Sequence, residues 1–109
     1  MAYDDGLAEL MRGDLADLPG LTEKKMFGGL CFLQHGNMIC GVHAGGAMFR
    51  VGKENEAQAL ALDGVGPMTF TGRKMGGMVD ADDDAMADDR VRQDLIGLAL
   101  GFVATLPPK

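Results

Sequence analysis

The sequence predicts an α+β domain, a two-layer sandwich with an antiparallel sheet of four or five strands under helices. Two observations lead there. Apolar residues recur at three- and four-residue steps near both ends. Between them lie short apolar runs cut by glycine-rich turns, whose tight connections imply antiparallel pairing. At 109 residues this is one domain, residues 1–109, large enough for one core.

The elements follow in order. Asp4 and Asp5 precede Leu7, Leu10, Met11, Leu15 and Leu18, which predicts a first helix with acids at its positive end. Pro19-Gly20 stops it. The run Met26–Leu33 is short and apolar and reads as a strand, with Gly28-Gly29 marking a bulge or a close backbone approach. A tight turn at His35-Gly36 or Gly36-Asn37 leads to a second strand, Met38–His43. Ala44-Gly45-Gly46 turns into a third, Ala47–Val51.

A short helix is expected over Glu54–Leu62, broken by Asp63-Gly64-Val65-Gly66-Pro67. Met68-Thr69-Phe70 and Gly77-Met78-Val79 give one or two further strands around Thr71-Gly72-Arg73-Lys74. The run from Asp80 to Asp84 is expected to be a solvated loop. A last helix begins near Asp88, with Val91, Leu95, Leu98, Phe102 and Leu106 on its inward face. Pro107-Pro108 ends it. The order is helix, three strands, helix, one or two strands, helix.

Composition narrows the function. The net charge is −6, with 16 acids against ten bases, so direct nucleic-acid binding is disfavoured. No 18-residue apolar stretch exists to span a membrane. The acidic start, Met1-Ala2-Tyr3-Asp4-Asp5, lacks the basic and apolar regions of a signal peptide, so the cytoplasm is expected. There is no serine, which removes every serine-nucleophile mechanism.

Cys31, His35, Cys40 and His43 have a metal-like spacing. On a hairpin with a two-residue turn, Cys31, His35 and Cys40 fall on one face and His43 on the other. Four ligands then cannot close a tetrahedral site. With the turn at His35-Gly36, Cys31 stands opposite Cys40, so a cross-strand disulfide is conceivable, though two reduced thiols are expected. Neither cysteine has an activating base. The aspartates at 80, 82 and 84 imitate a calcium loop, but Ala85 and Val91 occupy the positions that need glycine and glutamate. No catalytic residue, metal or cofactor is expected. The remaining candidates are basic. Lys24, Lys25, Arg50, Arg73 and Lys74 could converge on an anion or an acidic partner.

Several stretches together resemble the N-terminal domain of the TfoX family, named for a bacterial competence regulator. They are residues 1–7, Lys24-Lys25-Met26-Phe27-Gly28-Gly29-Leu30, Gly36-Asn37-Met38 with Cys40-Gly41-Val42, Arg50-Val51-Gly52, Phe70-Thr71-Gly72-Arg73, and Ala104-Thr105-Leu106-Pro107-Pro108-Lys109. The resemblance implies a two-layer α+β fold like that of secretion chaperones, with no known catalysis and no established cofactor. The competence regulator has a second, C-terminal domain. This chain ends at Lys109, so no transcriptional role is transferred from the name.

The expected function is a non-enzymatic regulatory or protein-interaction module. Leu30, Phe32 and Ile39 face one side of the hairpin, and Phe27, Leu33 and Met38 the other. One helical layer covers one face, so the second wants a partner or a twin subunit, and a homodimer is expected. The alternative is a binder of a small anionic ligand, or an enzyme, built on Arg50, Arg73 and Lys74.

Overall fold

The computed structural model describes residues 3–26, 28–70 and 73–108. Asp4 caps the first helix, α1 (Asp5–Leu15). Its carboxylate accepts the N–H groups of Gly6 and Leu7 at 2.8 and 3.2 Å. Leu7, Ala8, Met11 and Leu15 are buried on one stripe. Leu10, expected to face inward, is 48% exposed. It lies on the flank of the stripe away from Ala8, at 100° per residue.

Six antiparallel strands form one sheet: β1 (Leu21–Met26), β2 (Gly29–Gln34), β3 (Asn37–His43), β4 (Gly46–Arg50), β5 (Val65–Phe70) and β6 (Arg73–Asp82). Their spatial order is β1-β2-β3-β4-β6-β5. Most of the strand expected over Met26–Leu33 is β2, while Met26 closes a separate, unexpected strand, β1. The chain turns back at Gly28, whose φ is +74°, and Met26 pairs with Gly29. The added strand is the charged Leu21–Met26, polar because it is an edge with Thr22 to Lys25 exposed. The close approach expected at these glycines is at Gly29, where a Cβ would lie 1.9 Å from the Val42 carbonyl oxygen.

The β2–β3 turn is His35-Gly36, with φ +51° and +85°. Gln34 pairs with Asn37 and Leu33 with Met38, but Phe32 pairs with Cys40. Ile39 is therefore an extra residue, a β-bulge. Ile39 and Cys40 both enter the core beneath the helices.

After β4 a 3-10 turn, Lys53–Asn55, runs into α2 (Glu56–Leu60). The aspartate run is not a solvated loop. Asp80 to Asp82 complete β6, and Asp82 caps a short helix, α3 (Asp83–Ala87), by accepting the Ala85 N–H at 2.8 Å. Asp88 then caps α4 (Asp89–Val103) through the N–H groups of Arg90 and Val91.

The buried stripe of α4 is Arg92, Leu95, Ile96, Ala99 and Val103. The expected stripe through Val91, Leu98 and Phe102 is only partly buried. Burial of Arg92 turns the helix. Its side chain is 5% exposed, and it donates to Asp14 at 2.8 Å, Asp89 at 2.7 Å and the Met86 carbonyl at 2.9 Å. Every inward end of the guanidinium meets an acceptor, which makes a buried charge tolerable.

All four helices contribute their buried residues to one core, against Leu30, Phe32, Cys40, Val42, Phe49, Val79 and Ala81 of the sheet. The opposite sheet face has a second core of Cys31, Met38, Met48, Met68 and Met78, with Leu33 packed against it. Cys31 and Met48 are fully buried there. The described residues of this second core thus bury one another within one chain. Four of its five buried residues are methionines, whose flexible thioether side chains fill irregular gaps.

Replacing Arg92 with Ala leaves Asp14 without its charge partner in a half-buried position. Urea unfolding should show a loss of about 3 kcal/mol. Leu10→Ala should stay within about 0.5 kcal/mol of the parent. Equal losses in the two would show that the buried ion pair does not anchor α4.

Candidate functional site

The cysteines and histidines are the first candidates, and the bulge at Ile39 disperses them. Cys31 pairs with Gly41, not with Cys40. Cys31 belongs to the methionine-rich core and Cys40 to the helix-side core. The expectation that Cys31, His35 and Cys40 share a face is therefore wrong, because one extra residue inverts the parity of β3 beyond it. The same inversion puts His43 on the face of Cys31. A disulfide between thiols on opposite faces cannot form. His35 lies at the turn with its ring over Gly20, where a Cβ would be 2.4 Å from Nδ1. Among the described residues no three His, Cys, Asp or Glu side chains gather as a metal site.

Both thiols are buried. Burial pushes Cys31 up to about 11. It pushes Cys40 further above the usual thiol range, with Cys31 and Asp14 adding to the effect. A thiol held neutral is neither a nucleophile nor a metal ligand at neutral pH.

His43 has a defined pair of partners. Gly45 N–H donates to its Nδ1 at 3.0 Å, which leaves the ring proton on Nε2, 2.5 Å from the Asp80 carboxylate. The bond to Asp80 raises the His43 pKa above 6.5, and partial burial opposes it. A pKa raised in the folded state stabilises the fold fully below pH 6.5. That contribution is lost as pH rises through the folded value.

The basic candidates separate in space. Lys24 and Lys25 are exposed on β1, at one edge of the sheet. As neighbours on a strand they point to opposite faces. Arg50 ends β4, three strands away, roughly 14 Å at the usual strand spacing. Arg73 and Lys74 open β6, pairing with Phe70 and Thr69. Their side chains lie outside the described residues.

Arg50 borders a cavity of about 670 Å³ between the end of β4, the 3-10 turn and the C-terminal end of α4. Its Cζ lies 5.4 Å from the centroid of the Phe102 ring, a cation–π distance. The ring rests on Gly52, where a Cβ would be 2.4 Å from Cδ1. Gly52 has φ +84°, and its N–H and that of Val51 both donate to the Gly77 carbonyl, at 2.9 and 3.0 Å. This turn brings Lys53 to the same cavity as Arg50. Sequence reasoning missed Lys53 and the wall role of Phe102. The only signal was the glycine between two cations, in Arg50-Val51-Gly52-Lys53.

A single antiparallel sheet with every described helix on one face, sealed thiols and scattered cations defines a small two-layer α+β domain. The family model of the TfoX N-terminal domain matches residues 14–103, and the chain belongs to that family. No curated protein and no solved structure matches it. No helix among the described residues is long and apolar enough to cross a membrane.

Two measurements check the chemistry of these groups. An aromatic disulfide reagent at pH 8 should leave both thiols of the native protein unmodified and react with both in denaturant. Rapid reaction of either native thiol would contradict its burial. In an NMR titration, Asp80→Asn should lower the His43 pKa relative to the parent. An unchanged value would remove the carboxylate as the cause.

Proposed function

We propose that this TfoX N-terminal domain is a non-enzymatic regulatory module of the cytoplasm that works by protein–protein pairing. Family membership supports the regulatory class. The observation that carries the pairing is the edge strand β1. Among the described residues its outer row of N–H and C=O groups meets no neighbouring strand, and such a row accepts an added strand. The other edge, β5, contains Pro67, which lacks a donor and blunts that side.

Lys24 and Lys25 decide what can pair with β1. Lysines on an open edge deter indiscriminate strands, so an acceptable partner must offer carboxylates. A second copy of the chain does so. In an antiparallel pairing about a two-fold axis through Lys24, Glu23 of each copy, which also accepts from Arg12 of its own chain, stands opposite Lys25 of the other on the same sheet face. The homodimer is therefore proposed through β1 and not through the methionine-rich face.

Sedimentation at high micromolar concentration should show a dimer for the parent chain and a monomer for Lys25→Glu, which sets four carboxylates together at the joint. A parent chain that stays monomeric would sink the self-pairing. Capture from native lysate extends the test to other partners. Retention of the same proteins by the parent and by Lys24→Glu/Lys25→Glu would remove this edge as the interaction surface.

A further inference from the structure

We infer that the cavity beside Arg50 binds a small organic monocarboxylate, with Arg50 and Lys53 taking the charge and Phe102 the apolar body. The inference does not depend on pairing at β1, which lies three strands away.

The charge comes first. Arg12 and Arg92 each hold two carboxylates: Glu9 and Glu23 for Arg12, Asp14 and Asp89 for Arg92. Among the described residues Arg50 and Lys53 hold none. Arg50 is half-buried, and its guanidinium has no acceptor among the described residues. An anion entering the cavity meets five rigid donors that fit a carboxylate as a fork. The other polar groups nearby are already committed. Asn55 donates to the Val51 carbonyl at 3.1 Å, and the Thr105 hydroxyl donates to the Phe102 carbonyl at 2.6 Å. Recognition of charge therefore falls to Arg50 and Lys53.

Glu54 sets the number of charges. Its carboxylate lies in the same lining, so the described side chains there sum to one positive charge. That balance suits a single negative charge and disfavours phosphate, which carries up to two.

Shape and wall complete the argument. About 670 Å³ falls within the usual span of small-molecule sites. Phe102 supplies an aromatic surface, and Gly101 beside it supplies none. Nothing lies within 4 Å of a Cβ placed on Gly101. Glycine inside a helix costs about 1 kcal/mol relative to alanine, and no neighbour in the described chain requires it here. The open space above Gly101 is the volume the ligand's body would fill.

NMR titration tests this with a panel of acetate, benzoate and decanoate. Methyl benzoate serves as the neutral control and inorganic phosphate as the bare anion. Benzoate or decanoate should shift the backbone amide resonances of Gly76, Gly77 and Gly101, more tightly than acetate does. Methyl benzoate and phosphate should not. Arg50→Gln should weaken binding about 10-fold or more. Gly101→Leu should abolish it while leaving Tm equal or higher, since leucine enters open space and favours the helix. Lys25→Glu should bind like the parent, which separates failure here from failure at β1. Several results would overturn the inference: no carboxylate moves these resonances, phosphate binds as well as benzoate, or Gly101→Leu still binds.

Discussion

One extra residue in β3, Ile39, determines which side chains of the central hairpin meet the helices. Before it, the pairing follows the His35-Gly36 turn. After it, every residue of β3 is displaced by one against β2. Two consecutive residues, Ile39 and Cys40, thereby enter the helix-side core, and Gly41 comes to face the other side. A Cβ on Gly41 would lie 2.9 Å from Met48 Cε and 3.0 Å from Cys31 Sγ. A glycine there leaves the space that both sulfur-bearing side chains occupy. The bulge thus separates the thiols, sends His43 across β4 to Asp80, and makes room for the second core.

The two cores use different physics. The helix-side core is aliphatic and aromatic, with Phe32 and Phe49 fully buried. It is packed by helices whose entries are set by aspartates 4, 82 and 88, each cap adding about 1 kcal/mol. Among the described residues no helix contributes to the core on the other face. Its closure depends on methionine, a side chain long enough to lie over a neighbouring strand and flexible enough to fill irregular gaps. An apolar sheet face without a helical layer therefore does not by itself imply an oligomer.

Much of this fold was legible in the sequence because local rules decide it. His35-Gly36 turned where two residues tolerant of positive φ stand together. The last helix began beside Asp88 because a carboxylate there satisfies its first N–H groups. The illegible parts are those in which distant residues override local pattern. Leu21–Met26 carries no apolar alternation, since an edge strand needs only backbone pairing with β2. Arg92 looks like a solvent residue until Asp14, 78 positions away, is brought to it. Ile39 is indistinguishable from any strand isoleucine. At the candidate site, Arg50 was visible as a cation, whereas Lys53 and Phe102 join it only through the left-handed Gly52 and the end of α4.

The distribution of charge explains how an acidic chain can still present cations. A net charge of −6 suggests a surface on which every base finds an acid. Many of the acids are already used, however. Asp4, Asp82 and Asp88 hold helix starts. Asp14 and Asp89 hold Arg92, Glu9 and Glu23 hold Arg12, and Asp80 holds His43. A carboxylate fixed by backbone N–H groups cannot swing to a lysine elsewhere. Exposed charges more than about 8–10 Å apart are also screened at physiological salt. The sign that a ligand or partner meets is therefore local. Among the described side chains, β1 and the end of β4 each carry more positive than negative charge, in a protein whose total is negative.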